Sequence, residues 1–287
     1  MAPSGALPSG CAVAIGMDPA ALGPAIEVLG GLIKAVARTN GAVFGIEPKT
    51  HLRRIAACKM PGRATRGHPG RYVILMSGRI PLELVESAVA DQRRGFRRET
   101  LAGLPIAGGP TSWIARRGSS SAGADASAGE LVMASDRELL RETLVGPQNS
   151  YRLDPDAPFS AVIAGQELRA ILATQQGAGD TGLDRIQEVA VTVPPGARVV
   201  RIRAFVGDAL VSEKLARSLK PLLSNVAASL VGPDRSPPEV TTTVDAGDLI
   251  LHAELADGSW DAIAARLLPG KVSGRPLPLS GLTTPFR

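Results

Sequence analysis

Histidine, cysteine and aromatic residues are scarce in this chain of 287 residues. Aromatic side chains make up 3% of it, and its three histidines are His51, His68 and His252. None of the three stands at metal-ligand spacing from another ligand type, so the sequence predicts no metal site. Two cysteines are too few for the disulfide framework of a small secreted domain. These shortages exclude zinc modules and cysteine-stapled folds.

The sequence motifs of catalysis and cofactor binding are also absent. The chain contains no Walker phosphate loop, Rossmann glycine fingerprint, H-E-x-x-H motif, EF-hand loop or G-x-S-x-G elbow. We therefore predict no catalytic residues and no cofactor, and we favour a protein that is not an enzyme. An enzyme whose site is assembled from scattered residues remains an alternative, because such a site leaves no motif.

No apolar run is long and uniform enough to cross a bilayer. The most apolar helical segment, residues 22–37, contains Glu27 and Lys34 and is interrupted by Pro24. A spanning helix needs about 20 consecutive apolar residues, so we predict no transmembrane segment. The stretch APSGALPSG after Met1 has neither a basic start nor an apolar run, so it is not expected to act as a signal peptide. Whether a signal sequence once preceded it is left open.

Two stretches of the chain share one pattern. Each contains a strand with Leu-x-Arg-Ile, a Pro-Gly turn, a second apolar strand and a helix, and they cover residues 52–89 and 183–219. With 44% hydrophobic and 21% charged residues, the chain has ample material for two cores. The sequence therefore predicts an α+β fold of two tandem pseudo-repeats, each a mostly antiparallel sheet covered by helices.

Individual elements are predicted within this pattern. In the first half we expect strands at 54–60 and 71–80, a helix beginning at Pro81 and a short helix capped by Asp136. In the second half the apolar residues of 199–206 alternate, which predicts a strand with one apolar and one partly polar face. A helix capped by Asp208 and a hairpin through residues 245–247 are expected to follow it.

Changes in composition set the predicted boundaries between these parts. Segments rich in Pro, Gly, Ser, Asn or Asp interrupt the hydrophobic periodicity and indicate linkers. The predicted parts are a linker-like N-terminus (1–10), repeat 1 (11–146), a linker (147–158), repeat 2 (159–270) and a Pro/Gly-rich tail (271–287).

The two cysteines allow two interpretations. Cys11 begins the apolar run CAVAIG and Cys58 ends the apolar run IAAC, so each is expected to be a buried strand thiol. They can instead form one disulfide if their strands are neighbours and the compartment is oxidising. The sequence does not decide between the two.

Positive charge is concentrated in the first half of the chain. Residues 1–150 hold 18 basic and 12 acidic side chains, whereas residues 151–287 hold 14 and 15. The most unusual local feature is the run QRRGFRRE, whose basic residues are candidates for binding phosphate, nucleic acid or an acidic partner. Alternatively, the run is a solvated helix end, where cations favour the helix dipole. The candidate residues are Arg93, Arg94, Arg97 and Arg98.

Short motifs in the first half carry one resemblance. Gly16-Met17-Asp18-Pro19, Gly45-Ile46-Glu47-Pro48 and Leu52-Arg53-Arg54-Ile55 together resemble a pattern in uncharacterised exported proteins of Gram-negative soil bacteria. The resemblance implies a periplasmic or envelope-associated location in preference to a cytoplasmic one, and it implies no activity and no functional residues.

The expected function is therefore that of a non-enzymatic binding or scaffold protein of the cell envelope, with an unidentified protein as its partner. The alternative is a protein that binds anions or nucleic acid through its basic first half, so that its partner is a polyanion.

Overall fold

The chain is described from a computed structural model. The structure describes residues 7–23, 25, 51–62, 70–80, 97–109, 112–118, 128–146, 148–149, 151–172, 183–196, 198–232 and 236–267. The chain divides into two compact units. Unit 1 comprises residues 1–20 and 33–155, and unit 2 comprises residues 21–32 and 156–287.

Unit 1 is built mainly of antiparallel strands. They are β1 (Leu7–Pro8), β2 (Val13–Met17), β3 (Leu52–Lys59), β4 (Tyr72–Arg79), β5 (Arg97–Leu101), β6 (Leu104–Gly108), β7 (Trp113–Gly118), β8 (Ala128–Ala134) and β9 (Gln148–Asn149). Seven of them follow the order β2-β3-β4-β8-β7-β6-β5, and β1 pairs separately with β9. The predicted strands at 54–60 and 71–80 are confirmed as the hairpin β3–β4.

The core of unit 1 lies around β4. Its residues Tyr72–Met76 are all buried, as expected for a continuous apolar run that is covered on both faces. Helix α1 (Arg137–Val145) packs on the sheet and buries Leu139 and Leu140 completely. Asp136 accepts a hydrogen bond from the Leu139 N–H, so the predicted N-cap of this helix is confirmed.

Unit 2 contains five strands, three α-helices and one 3-10 helix among its described residues. The 3-10 helix, Leu183–Arg185, stands where the sequence predicted the start of a strand, so that prediction is wrong. The strands are β10 (Phe159–Ala164), β11 (Glu188–Val193), β12 (Val199–Phe205), β13 (Glu239–Asp245) and β14 (Asp248–Glu254), in the order β13-β14-β12-β11-β10. The helices are α2 (Gly165–Leu172), α3 (Ala209–Val231) and α4 (Ser259–Leu267). The predicted hairpin through residues 245–247 and the helix capped by Asp208 are both confirmed.

One face of the unit 2 sheet packs against α3. Leu215 of the helix is fully buried against Leu249 and Leu251 of β14 and Ala204 of β12. These positions alternate along each strand, so the apolar side chains share one face and leave the polar ones on the other. Pro221 lies inside α3, which nevertheless continues as one helix to Val231.

The predicted fold of two tandem pseudo-repeats, each a sheet covered by helices, is wrong. The described strands form extensive antiparallel sheet, seven strands in the order given for unit 1 and five in the order given for unit 2. Among the described residues, strands well outnumber helices. Local hairpin signals identify neighbouring strands, but they do not determine how many further strands join the sheet. The helix predicted to begin at Pro81 lies outside the described residues.

Candidate functional site

The predicted arginine cluster is only partly described. Arg93 and Arg94 lie outside the described residues, whereas Arg97 and Arg98 are exposed on β5, at the end of the strand order of unit 1. Arg97 Nε lies 3.3 Å from Glu99 Oε1, and its guanidinium lies 5.8 Å from the centroid of the Trp113 ring. The charge of Arg97 is therefore already engaged within the protein.

Glycine at position 108 makes room for the Trp113 ring. Arg97, Gly108 and Trp113 lie directly opposite one another on β5, β6 and β7. A Cβ atom at Gly108 would collide with the Trp113 ring, so the missing side chain makes room for the indole. Sequence reasoning missed this arrangement, because three strands have to be aligned before the residues meet.

Two acidic groups of unit 1 have shifted pKa values. Burial opposes ionisation of Asp136, but hydrogen bonds from Arg71 Nε, the Leu139 N–H and the Ser135 hydroxyl outweigh it and hold its pKa below the usual value. Burial raises the pKa of Glu130, although Arg117 opposes this shift from 3.3 Å away.

These unit 1 contacts serve the fold. The Arg117 Nη2 atom donates to the Thr143 carbonyl at 2.9 Å, and Arg137 Nε lies 3.0 Å from Glu99 Oε2. Both contacts tie α1 to the strands beneath it. The shifted pKa values of the two acids follow from this packing and do not by themselves indicate a reaction.

The two cysteines form a disulfide, which resolves the alternatives left open by the sequence. Cys11, just before β2, is bridged to Cys58 of β3. The Tyr151 hydroxyl accepts from the Cys11 N–H at 2.7 Å and donates to the Pro8 carbonyl at 2.7 Å. Residues just before β2 are thus held covalently and by hydrogen bonds to the body of unit 1.

Unit 2 presents a polar sheet face opposite the face that packs against α3. Arg201, His252 and Thr241 lie directly opposite one another on β12, β14 and β13, and all three are exposed. Phe205 and Ile250 lie on the same face and are partly exposed. This surface combines donors and a cation with aromatic and aliphatic area, a composition suited to contact with a protein.

A partly buried ion pair supports one edge of this face. Both Nε and Nη2 of Arg203 donate to Asp248 Oδ2, at 3.2 and 2.9 Å, while the Val206 N–H donates to Oδ1 at 3.1 Å. The Arg203 guanidinium also lies 5.1 Å from the centroid of the Phe205 ring. Asp248 is thereby fully occupied in holding β12 to β14.

A shallow cavity of about 340 Å³ lies where β13 begins and β14 ends. Its charged lining consists of three carboxylates and one guanidinium, those of Glu239, Glu254, Asp257 and Arg198. Arg198 Nη2 is paired with Asp257 Oδ1 at 2.8 Å. The cavity therefore carries negative charge at the end of the strand.

The described residues contain neither a metal-binding cluster nor a membrane-spanning helix. Within the ranges given above, no three His, Cys, Asp or Glu side chains are grouped so that they could hold a metal ion. Nor does any helix in that part of the chain have the length and apolar character needed to span a membrane.

Solved structures of TP0453 share the fold of this chain. Crystal form I matches with a TM-score of 0.53 and 11% identity over 92% of this chain and 96% of that chain. Crystal form III matches with a TM-score of 0.52 and 12% identity over 92% and 98%. Neither a family model nor a curated protein matches the chain. At such low identity the likeness shows the fold alone.

Proposed function

We propose that this chain is a binding or scaffold protein of the cell envelope that holds a protein partner through unit 2. The observation that carries the proposal is the exposed face of the unit 2 sheet, on which Arg201, His252 and Thr241 form a row beside Phe205 and Ile250. Arginine and aromatic side chains are enriched at the centres of protein interfaces.

The disulfide supports the location. A bridge between Cys11 and Cys58 uses both cysteines of the chain. Disulfides persist in oxidising compartments such as the bacterial periplasm and are rare in the cytosol. The sequence resemblance to exported proteins favours the same compartment.

The location is tested by trapping thiols in the native cells. Both cysteines are buried, so the cells are denatured in the presence of a maleimide, which should leave Cys11 and Cys58 unlabelled unless a reductant is added first. A Cys58→Ser variant is the matched control, because its single remaining thiol at Cys11 should become labelled on denaturation. Labelling of both cysteines in untreated cells would contradict an oxidising location.

Partner binding is tested by site-specific photocrosslinking. A photoreactive residue in place of His252 should crosslink one protein in a native envelope extract, and the same residue in place of the exposed Arg98 of unit 1 serves as the control. The captured protein is then purified, and its affinity for the natural chain and for an Arg201→Ala variant is measured. Equal capture from both positions, or a specific turnover by the purified chain, would overturn the proposal.

A further inference from the structure

The chain presents a sheet edge suited to accept another strand. β13 pairs along its whole length with β14, from Glu239 opposite Glu254 to Asp245 opposite Asp248, without a register shift. On its other side β13 has no neighbouring strand within the described residues. The backbone N–H and C=O groups along that side are able to form a further ladder.

The sequence of β13 lacks the features that usually block an edge. Its residues, EVTTTVD, contain no proline and no lysine, and five of the seven are β-branched. The edge strand β5 of unit 1 differs, since it is only five residues long and carries Arg97, Arg98 and Glu99. Charged residues along an edge strand discourage pairing with another chain, and the two charged residues of β13 stand only at its ends. By these criteria β13 is open and β5 is guarded.

The charges of β13 indicate what kind of strand would fit. Glu239 and Asp245 lie at its two ends and are exposed, as are Thr241 and Thr243 between them. The acidic cavity adjoins the Glu239 end. Opposite charges across a strand pair stabilise it, so a basic residue at each end of an added strand would match this edge.

A second copy of the chain fits this edge poorly. In a symmetric antiparallel pair of two β13 strands centred on Thr242, each Glu239 would face Asp245 of the other copy. Like charges directly opposite each other in a sheet are destabilising. Charge complementarity therefore favours a partner with basic ends over self-association.

We propose that β13 binds an extended, basic-ended segment of a partner protein by β-strand addition, with a Lys or Arg side chain of that segment lying in the acidic cavity. The inference rests on the proposed function and names the class of its partner. Main-chain hydrogen bonds to the edge supply the affinity, and the acids at the two ends of β13 select the basic residues.

The probe is a fluorescent heptapeptide, Lys-Val-Thr-Val-Thr-Val-Lys, whose lysines fall opposite Glu239 and Asp245 in an antiparallel register. Its charge control has glutamate at both ends. Two further peptides are N-methylated at their odd or at their even positions, which removes the N–H groups from one edge or from the other. We expect the lysine peptide to bind, the glutamate peptide not to bind, and only one of the two methylated peptides to retain binding.

Substitutions in the protein test the acidic end of the site. A Glu239→Gln, Glu254→Gln double variant should weaken binding of the lysine peptide about tenfold, the effect expected for the loss of two exposed ion pairs. The control, Glu213→Gln with Glu142→Gln, makes the same change in net charge at exposed helix positions and should leave the affinity unchanged. An equal loss in both variants would show that only net charge matters and would overturn the site.

Amide hydrogen exchange locates the bound peptide. Alternate N–H groups of β13 should exchange more slowly in the complex, because only alternate residues direct their N–H groups away from β14. Unchanged exchange along β13, or equal binding of the two methylated peptides, would refute strand addition. If His252 still captures a partner in that case, the proposed binding function stands and only its assignment to β13 is lost.

Discussion

Replacing Asp136 tests whether one carboxylate both caps α1 and anchors Arg71. Oδ1 of Asp136 accepts from the Leu139 N–H at 2.8 Å, and Oδ2 accepts from Arg71 Nε at 3.1 Å. Asparagine caps a helix about as well as aspartate, whereas alanine does not. Asp136→Asn therefore removes mainly the charge, and Asp136→Ala removes the charge and the cap.

The two losses have different magnitudes. Loss of an N-cap costs about 1 kcal/mol. The ion pair contributes less, about 0.5 kcal/mol, because the side chains of Arg71 and Asp136 remain 48% and 39% exposed and water screens them. We expect Asp136→Asn to lower the free energy of unfolding by about 0.5 kcal/mol and Asp136→Ala by about 1.5 kcal/mol.

The pH dependence has a definite sign. The pKa of Asp136 in the folded protein lies below its unfolded value of about 3.9. The stability contributed by its charge is therefore fully present above about pH 4 and is lost as the pH falls through the folded pKa. The difference between the natural chain and Asp136→Asn should stay constant from about pH 7 to pH 5 and shrink below about pH 4.

Urea unfolding followed by tryptophan fluorescence provides the assay. A Trp260→Phe background leaves Trp113, which is buried in unit 1, as the reporter. Equal destabilisation by Asn and Ala at pH 7 would show that the cap contributes nothing. A difference between the natural chain and Asp136→Asn that persists unchanged at pH 3 would refute the electrostatic argument.

Three other substitutions test separate parts of the structure. The Cys11→Ser, Cys58→Ser double variant should lose about 4 kcal/mol of unfolding free energy, because the bridge closes a loop with a sequence separation of 47. The natural chain, denatured with and without reductant, should show the same difference in unfolding free energy. Gly108→Ala should lower the free energy of unfolding by about 2 kcal/mol, because the new Cβ forces the indole aside. Its control, Gly70→Ala, should be nearly neutral, because a Cβ at Gly70 meets nothing within 4 Å. Equal melting temperatures of the two variants would contradict this prediction. If the polyanion alternative is right, changing four arginines together to serine should give earlier elution from heparin and a shallower salt dependence. Unchanged elution would remove these residues as a polyanion site. The four are Arg93, Arg94, Arg97 and Arg98.

Local sequence signals predicted the local structure well. The hairpin β3–β4, the hairpin β13–β14 and the cap at Asp208 all follow from patterns within a few residues. Strand alternation in residues 199–206 also predicted that one face of β12 is apolar and the other partly polar. Such features depend on backbone preferences and short-range periodicity, which the sequence states directly.

The candidate sites were predicted less completely. The arginine run directed attention to Arg97, but its contacts with Glu99 and Trp113 depend on strand register. The row of Arg201, His252 and Thr241 joins residues up to 51 positions apart, and no motif connects them. Sequence alternation alone could have placed each of them on a polar face, but it could not have placed them beside one another.

The sequence by itself determined the hairpins β3–β4 and β13–β14, the caps at Asp136 and Asp208 and the two-faced character of β12, because these depend on neighbours along the chain. Only the tertiary structure decided how many strands each unit pairs into sheet, that Cys11 is bridged to Cys58, and that β13 has a free edge among the described residues. Those outcomes depend on which strands pair over long separations. The free energy of such pairing comes from contacts between distant residues, so no local pattern can specify it.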